Sequence, residues 1–93
     1  LMRCLFHIFA DSSQDRLEQS HLLILACLNF DYRVDIVFHD HSEHVLSRQP
    51  QLYKKWQALQ LYGAQEFIQL SELSCSEADN LLTQLTDQAD FIA

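Results

Sequence analysis

The sequence predicts an α/β domain of three αβα layers around a mainly parallel sheet of roughly four to five strands. Short runs rich in β-branched and aromatic residues alternate with longer segments of helical period, in the order β-α-β-α-β-α-β. The first run, residues 4–9, is apolar apart from His7, as a strand covered on both faces is, and the second, residues 33–39, is rich in β-branched and aromatic residues. One Gly and one Pro in 93 residues are too few for a turn-rich β-sandwich.

The first strand is residues 4–9, interrupted only by His7 and ended by Asp11, Ser12 and Ser13. A helix is expected over residues 13–30, capped by Ser12 or Ser13 with Asp15 in its first turn. Its later part, residues 22–28, is apolar almost all round, which calls for cover on more than one side. The second strand is residues 33–39. Residues 39–47 read as a polar loop with room for one helical turn around Val45 and Leu46. Pro50 suits a helix first turn, and residues 51–62 carry a stripe of Leu52, Trp56 and Leu59. Gly63 sits where that helix should stop. A third strand is expected over residues 66–70, and Ser76-Glu77-Ala78-Asp79 resembles a capping box for a helix reaching Gln88. Leu81, Leu82 and Leu85 should face inward, and residues 89–93 form a last strand.

The length suits one domain, residues 1–93, and nearly half of it is hydrophobic. That is more apolar material than so small a body hides easily, and it points to a partner subunit. The net charge is −7, and the six basic residues are scattered. Nucleic acid binding needs a basic patch, so no direct nucleic acid partner is expected. Cys4, Cys27 and Cys75 are odd in number and lack CxxC spacing, which favours a reducing, cytoplasmic setting. No stretch approaches the ~18 apolar residues of a membrane helix, and no membrane partner is expected.

Candidate chemistry is sparse. His39-Asp40-His41-Ser42-Glu43-His44 follows a strand, and His39, His41 and His44 could hold zinc or a similar ion. The phrase is similar to the first ligand motif of metallo-β-lactamase-fold hydrolases, with Glu43 in place of Asp, but the other ligands of such enzymes have no counterpart here. A solvated loop that gains charge in mild acid is the plainer reading. Cys75 precedes a helix, whose N-terminal dipole favours thiolate and hence a nucleophile or persulfide carrier. Glu72 and Glu77 oppose that charge, and an ordinary exposed cysteine is the simpler account. Cys4 and Cys27 read as buried packing groups. The loop Ala10-Asp11-Ser12-Ser13 has no glycine, which argues against a phosphate cradle. Trp56, Tyr53 and Tyr62, at helical spacing, read as core and interface residues. No cofactor is expected.

Several phrases, in order, resemble the TusC/DsrF branch of the DsrE/DsrF-like sulfur-relay family. Asp35-Ile36-Val37-Phe38 leading into Asp40 looks like that family's second strand and its Asp-Gly turn, with His41 in place of the Gly. Leu59-Gln60-Leu61-Tyr62-Gly63 resembles its helix-ending Leu-Gly-Leu-Tyr phrase. Ser76-Glu77-Ala78-Asp79-Asn80-Leu81 resembles a helix start, and Ala89-Asp90-Phe91-Ile92 a final strand. The resemblance spans nearly the whole chain. It implies a three-layer fold and assembly with homologous DsrE-like and DsrH-like subunits, or with itself, into an oligomer that passes persulfide sulfur. Family members serve tRNA 2-thiouridine synthesis or sulfur oxidation. The relay cysteine belongs to a sister subunit, at the end of the third strand, where this chain has Leu70.

The expected function is therefore a non-catalytic subunit of a sulfur-relay complex, not an enzyme by itself, docking through residues 22–28 and 56–62. The alternatives are a stand-alone homo-oligomeric sulfurtransferase using Cys75, and a small metal-binding protein using His39, His41 and His44.

Overall fold

The computed structural model describes residues 1–93. β1 (Arg3–Ile8) leads into α1 (Gln14–Asn29) and β2 (Arg33–Phe38). Two helices follow, α2 (Ser42–Ser47) and α3 (Pro50–Ala58). Then come β3 (Ile68–Gln69), a 3-10 turn (Leu70–Glu72), α4 (Cys75–Gln88) and β4 (Phe91–Ile92). The four strands form one sheet in the order β3-β2-β1-β4, and every pairing is parallel. The α/β class and the alternation expected from the sequence are both present.

β1 and β2 pair along their full lengths, from Arg3 opposite Arg33 to Ile8 opposite Phe38. Successive side chains of a strand point to opposite faces, so the pair supplies two half-cores. On one face Cys4, Phe6, Ile8, Val34, Ile36 and Phe38 pack with Leu17, Ile24 and Leu28 of α1 and Leu52 and Trp56 of α3. On the other, Leu5 and Val37 pack with Leu85 of α4, and Leu81, Leu82, Ile68 and Leu70 line the edges. The first cluster has 15 buried members and the second three, so the α4 side is thinly covered. This placement follows from connection handedness. The steps from β1 to β2 and from β2 to β3 run one way along the sheet, and the step from β3 to β4 returns. Right-handed crossovers then put α4 opposite α1 and α3.

Burial of a large apolar side chain contributes about 1.5–3 kcal/mol. Trp56, Phe6, Phe38, Leu46 and Leu59 are among those fully buried. One group opposes this sum: the indole N–H of Trp56 is buried without a hydrogen-bond partner, at a cost of about 1–3 kcal/mol. Asp35, also buried, accepts from Arg33 Nε at 3.3 Å.

Several sequence expectations need correction. Residues 42–47 form a helix rather than a loop. It is held because the buried Ser42 hydroxyl donates to Ile8 O at 3.0 Å and Leu46 fills the core. α3 ends at Ala58, and residues 59–63 continue as turns up to Gly63, whose φ of 112° lies in the left-handed region. The third strand is two residues long, because the chain leaves the sheet at Leu70. Residues 22–28 need no such correction, being covered on one side only: Ile24, Cys27 and Leu28 are buried, whereas Leu22 and Leu23 face solvent. Trp56 is wholly internal and offers nothing to a partner, whereas Leu61 and Tyr62 are exposed.

The capping box also lies two residues earlier than expected. Ser74 is the N-cap of α4, its hydroxyl accepting from Glu77 N–H at 3.1 Å while Glu77 accepts from Ser74 N–H at 3.2 Å. Both Ser74 and Ser76 precede acidic residues at capping-box spacing, and only the first starts the helix. Ser74→Ala should therefore cost about 1 kcal/mol in urea unfolding, and Ser76→Ala should stay within about 0.5 kcal/mol. The hydrogen bonds from Ser74, side chain first and then backbone, hold the Glu77 carboxyl below its ordinary value of 4.5. The unfolded chain then takes up the proton first as pH falls. The carboxylate's contribution is complete above that value and is lost as acid carries the pH through the lower folded one. Glu77→Ala and the natural chain should converge in stability in acid.

Candidate functional site

In parallel α/β sheets, ligand chemistry collects beyond the carboxyl ends of the strands, where loops diverge. The carboxyl ends of β1 and β2 carry His7, His39 and Asp40. His7 lies opposite Val37, and His39 lies two residues past Val37 on the same side of the sheet. That side is the thinly covered α4 face. His39 N–H donates to Ile8 O at 2.8 Å, which continues the β1–β2 ladder one residue beyond β2 and fixes the backbone under the ring. His7 is held from its other side, its N–H donating to Ala93 O at 2.9 Å.

The two imidazoles meet, with His7 Nδ1 and His39 Nε2 2.8 Å apart. One ring must donate and the other accept, so the pair shares a single bridging proton. Phe9 stacks on His39 with ring centroids 4.4 Å apart and covers one side of the pair. Both rings are half-buried. Burial lowers the affinity of His7 for a second proton, and the neighbouring His39 lowers it further. Burial also lowers His39, partly offset by the Asp40 carboxylate. Both therefore lie below the ordinary value of 6.5 and are mainly neutral at pH 7.

The histidine loop does not form the expected three-ligand site. His39 turns to His7, while His41 and His44 are exposed on the turn and on α2. No group of three or more His, Cys, Asp or Glu side chains is placed to hold a metal ion. The reason is local: α2 begins at Ser42, so the loop winds into a helix and its side chains radiate. Glu43 turns inward, accepting from the Tyr53 hydroxyl at 3.1 Å and from the Gln69 amide. It thereby ties α2 to α3 and β3 beside a cleft of about 340 Å³ lined by Gln57, Gln60, Glu66 and Glu72.

Cys75 is the first residue of α4 and is exposed. Cys4 and Cys27 are buried and free. Burial pushes the Cys4 thiol up to about 11, with Cys27 adding to the shift. It is an inert packing group, as its place in the first strand predicts. His21, half-buried, hydrogen bonds to Lys55 O at 3.2 Å and braces α1 against α3.

Sequence reasoning missed the His7–His39 pair because the two lie 32 positions apart. A signal existed: a histidine lies next to the carboxyl end of each of the two buried strands, His7 just inside β1 and His39 just past β2, with the same pleat parity, so parallel pairing places both on one face.

The fold and site together define a small α/β domain with an all-parallel sheet and a paired-imidazole feature at its carboxyl edge. No family model, curated protein or solved structure matches the chain.

The turn beside the pair stores strain. Asp40 and His41 both have positive φ, 48° and 59°, a region that costs an L-residue about 1–2 kcal/mol relative to right-handed backbone. Gly escapes that cost but loses more entropy on folding. His41→Gly should therefore stabilise the protein by roughly 0.5 kcal/mol, measured as a higher urea midpoint at unchanged slope.

Proposed function

We propose that this chain is a non-catalytic subunit of a persulfide-relay complex of the TusC/DsrF type, acting in tRNA 2-thiouridine synthesis or sulfur oxidation in a cytoplasmic setting. The observation that carries the proposal is where the resembling phrases fall in the fold. The Asp40–His41 phrase is the turn leaving β2, and His41 has the positive φ that favours the Gly expected there. The phrase ending in Gly63 closes the segment after α3, with Gly63 itself left-handed. The phrase around Glu77 lies in the first turns of α4, and Phe91 and Ile92 are β4. Four short phrases that mean little singly thus fall, in order, at a turn after β2, a turn after α3, the first turns of α4 and the last strand of an all-parallel sheet, which supports the reading.

The non-catalytic role rests on Leu70. It opens the 3-10 turn as the chain leaves β3, at the position the resemblance assigns to a sister subunit's relay thiol. An aliphatic side chain there can shape a neighbour's thiol environment but cannot carry sulfur.

Assembly has material support. Leu22 and Leu23 on α1, Leu61 and Tyr62 after α3, and Phe91 and Ile92 on the edge strand are all exposed. These exposed apolar side chains are surface that a partner subunit would bury. β4 is also an open sheet edge with unpaired backbone groups. Homologous α/β subunits are the proposed occupants.

A second reading uses Cys75, because it is an exposed thiol at the first residue of a 14-residue helix. There it would accept sulfur directly.

Size-exclusion chromatography with light scattering tests the first reading. The chain should elute as an oligomer, alone or with DsrE-like and DsrH-like subunits. Leu22→Glu with Leu23→Glu should weaken that association at least about tenfold while leaving the circular dichroism unchanged. A monomer indifferent to every homologous subunit would remove the reading. Incubation with a persulfide donor followed by mass spectrometry separates the two readings. The first expects Cys75 to stay unmodified, and a gain of about 32 Da on Cys75, one sulfur atom, would establish the second.

A further inference from the structure

We propose that His7 and His39 together form a two-histidine chelate for a borderline divalent transition ion of the zinc class, open to solvent in its remaining positions. The inference is independent of the relay reading. It rests on two nitrogens from different strands that converge at 2.8 Å, on rings whose backbones the sheet holds rigidly.

Distance selects the ion. Metal–imidazole bonds of about 2.0–2.1 Å at a tetrahedral angle place two ligand nitrogens about 3.3 Å apart. The pair reaches that by opening roughly half an ångström from its hydrogen-bonded separation, within the torsional freedom of two half-exposed rings. A linear two-coordinate ion needs about 4 Å between the nitrogens, more than twice the movement. Hard ions such as calcium and magnesium require oxygen ligands, and this pair offers only nitrogen. Borderline ions that accept imidazole in tetrahedral or tetragonal geometry are what remain.

Chemistry favours the exchange. The ion takes the place of the single bridging proton, which passes through solvent to the far nitrogen of the ring that had donated it, so each ring coordinates through a lone pair and carries one N–H on its far nitrogen. The rings are already held mainly neutral by burial, the form that binds metal. Phe9 stacked on His39 restrains that ring and leaves its coordinating edge free to meet His7. Two protein ligands with solvent in the other positions give an exchangeable site rather than a structural one.

The same geometry separates this site from the loop histidines. His41 and His44 do not join His39 in a cluster, so removing both should leave the pair intact.

The test is zinc chloride titration of the metal-free full chain, followed by calorimetry and by long-range nitrogen–proton spectra of the imidazoles. The expected result is one saturable site with a Kd of about 1–100 μM, with His7 Nδ1 and His39 Nε2 shifting together. His7→Gln and His39→Gln should each weaken binding at least about tenfold, and the double variant His41→Ala with His44→Ala should stay within about twofold. The wild-type spectra need no variant, so they decide the matter even if His7→Gln fails to fold. No saturable binding up to millimolar zinc would overturn the proposal. So would ring shifts confined to His41 and His44, or affinity lost in the loop double variant and kept in His7→Gln.

Discussion

The six-residue parallel pairing of β1 with β2 is the interaction on which the rest of the fold depends. It is the longest pairing in the sheet, and its side chains are buried on both faces, with only Arg3, His7 and Arg33 partly open within it. β3 and β4 each contribute two residues and add themselves to the outer edges of this pair. α1 and α3 fold over one of its faces, and α4 folds over the other. The histidine pair and the anchor of α2 inherit their positions from that ladder. His7 lies within it, His39 extends it by one hydrogen bond, and Ser42 anchors α2 to its last carbonyl.

The unequal cover of the two faces explains why the interesting groups lie where they do. A face packed by two helices leaves no room for polar side chains, and β1 and β2 present only apolar ones there. A face packed by one helix leaves space near the strand ends. Two half-buried imidazoles occupy it and satisfy one another, with the exposed Phe9 ring stacked on His39. The exposed apolar residues of α1 and β4 lie outside both cores. A domain of this size has too little interior to hide them.

Much of the fold was legible because its strongest elements carry unambiguous local patterns. β1 and β2 are dense in apolar and β-branched residues, and α1 joins a polar capped start to an apolar end. The stripe of Leu52, Trp56 and Leu59 was read correctly as core. Less legible were elements decided by tertiary contact. α2 contains polar residues that read as loop, and it is a helix because Ser42 and Leu46 dock on the sheet. β3 looked longer because Phe67 and Leu70 are apolar, yet only Ile68 and Gln69 pair. Two overlapping serine–acidic phrases lie at the start of α4; the sequence reading takes Ser76 as the cap, whereas the helix starts from Ser74. The histidine loop was attractive because its residues are close in sequence. The contact that formed joined one of them to a strand histidine far away, which only the β1–β2 register determines.

Native-state hydrogen exchange measures that dependence most directly. If the β1–β2 ladder is the spine of the domain, amides such as Phe6 and Ile36 exchange only through global unfolding, and their protection equals the full stability. The outer pairings at Ile68 and Ile92 should open locally and exchange at lower free energy. Protection at β3 or β4 matching or exceeding that at β1 and β2 would contradict the account, as would Phe6 and Ile36 exchanging as fast as the surface turns.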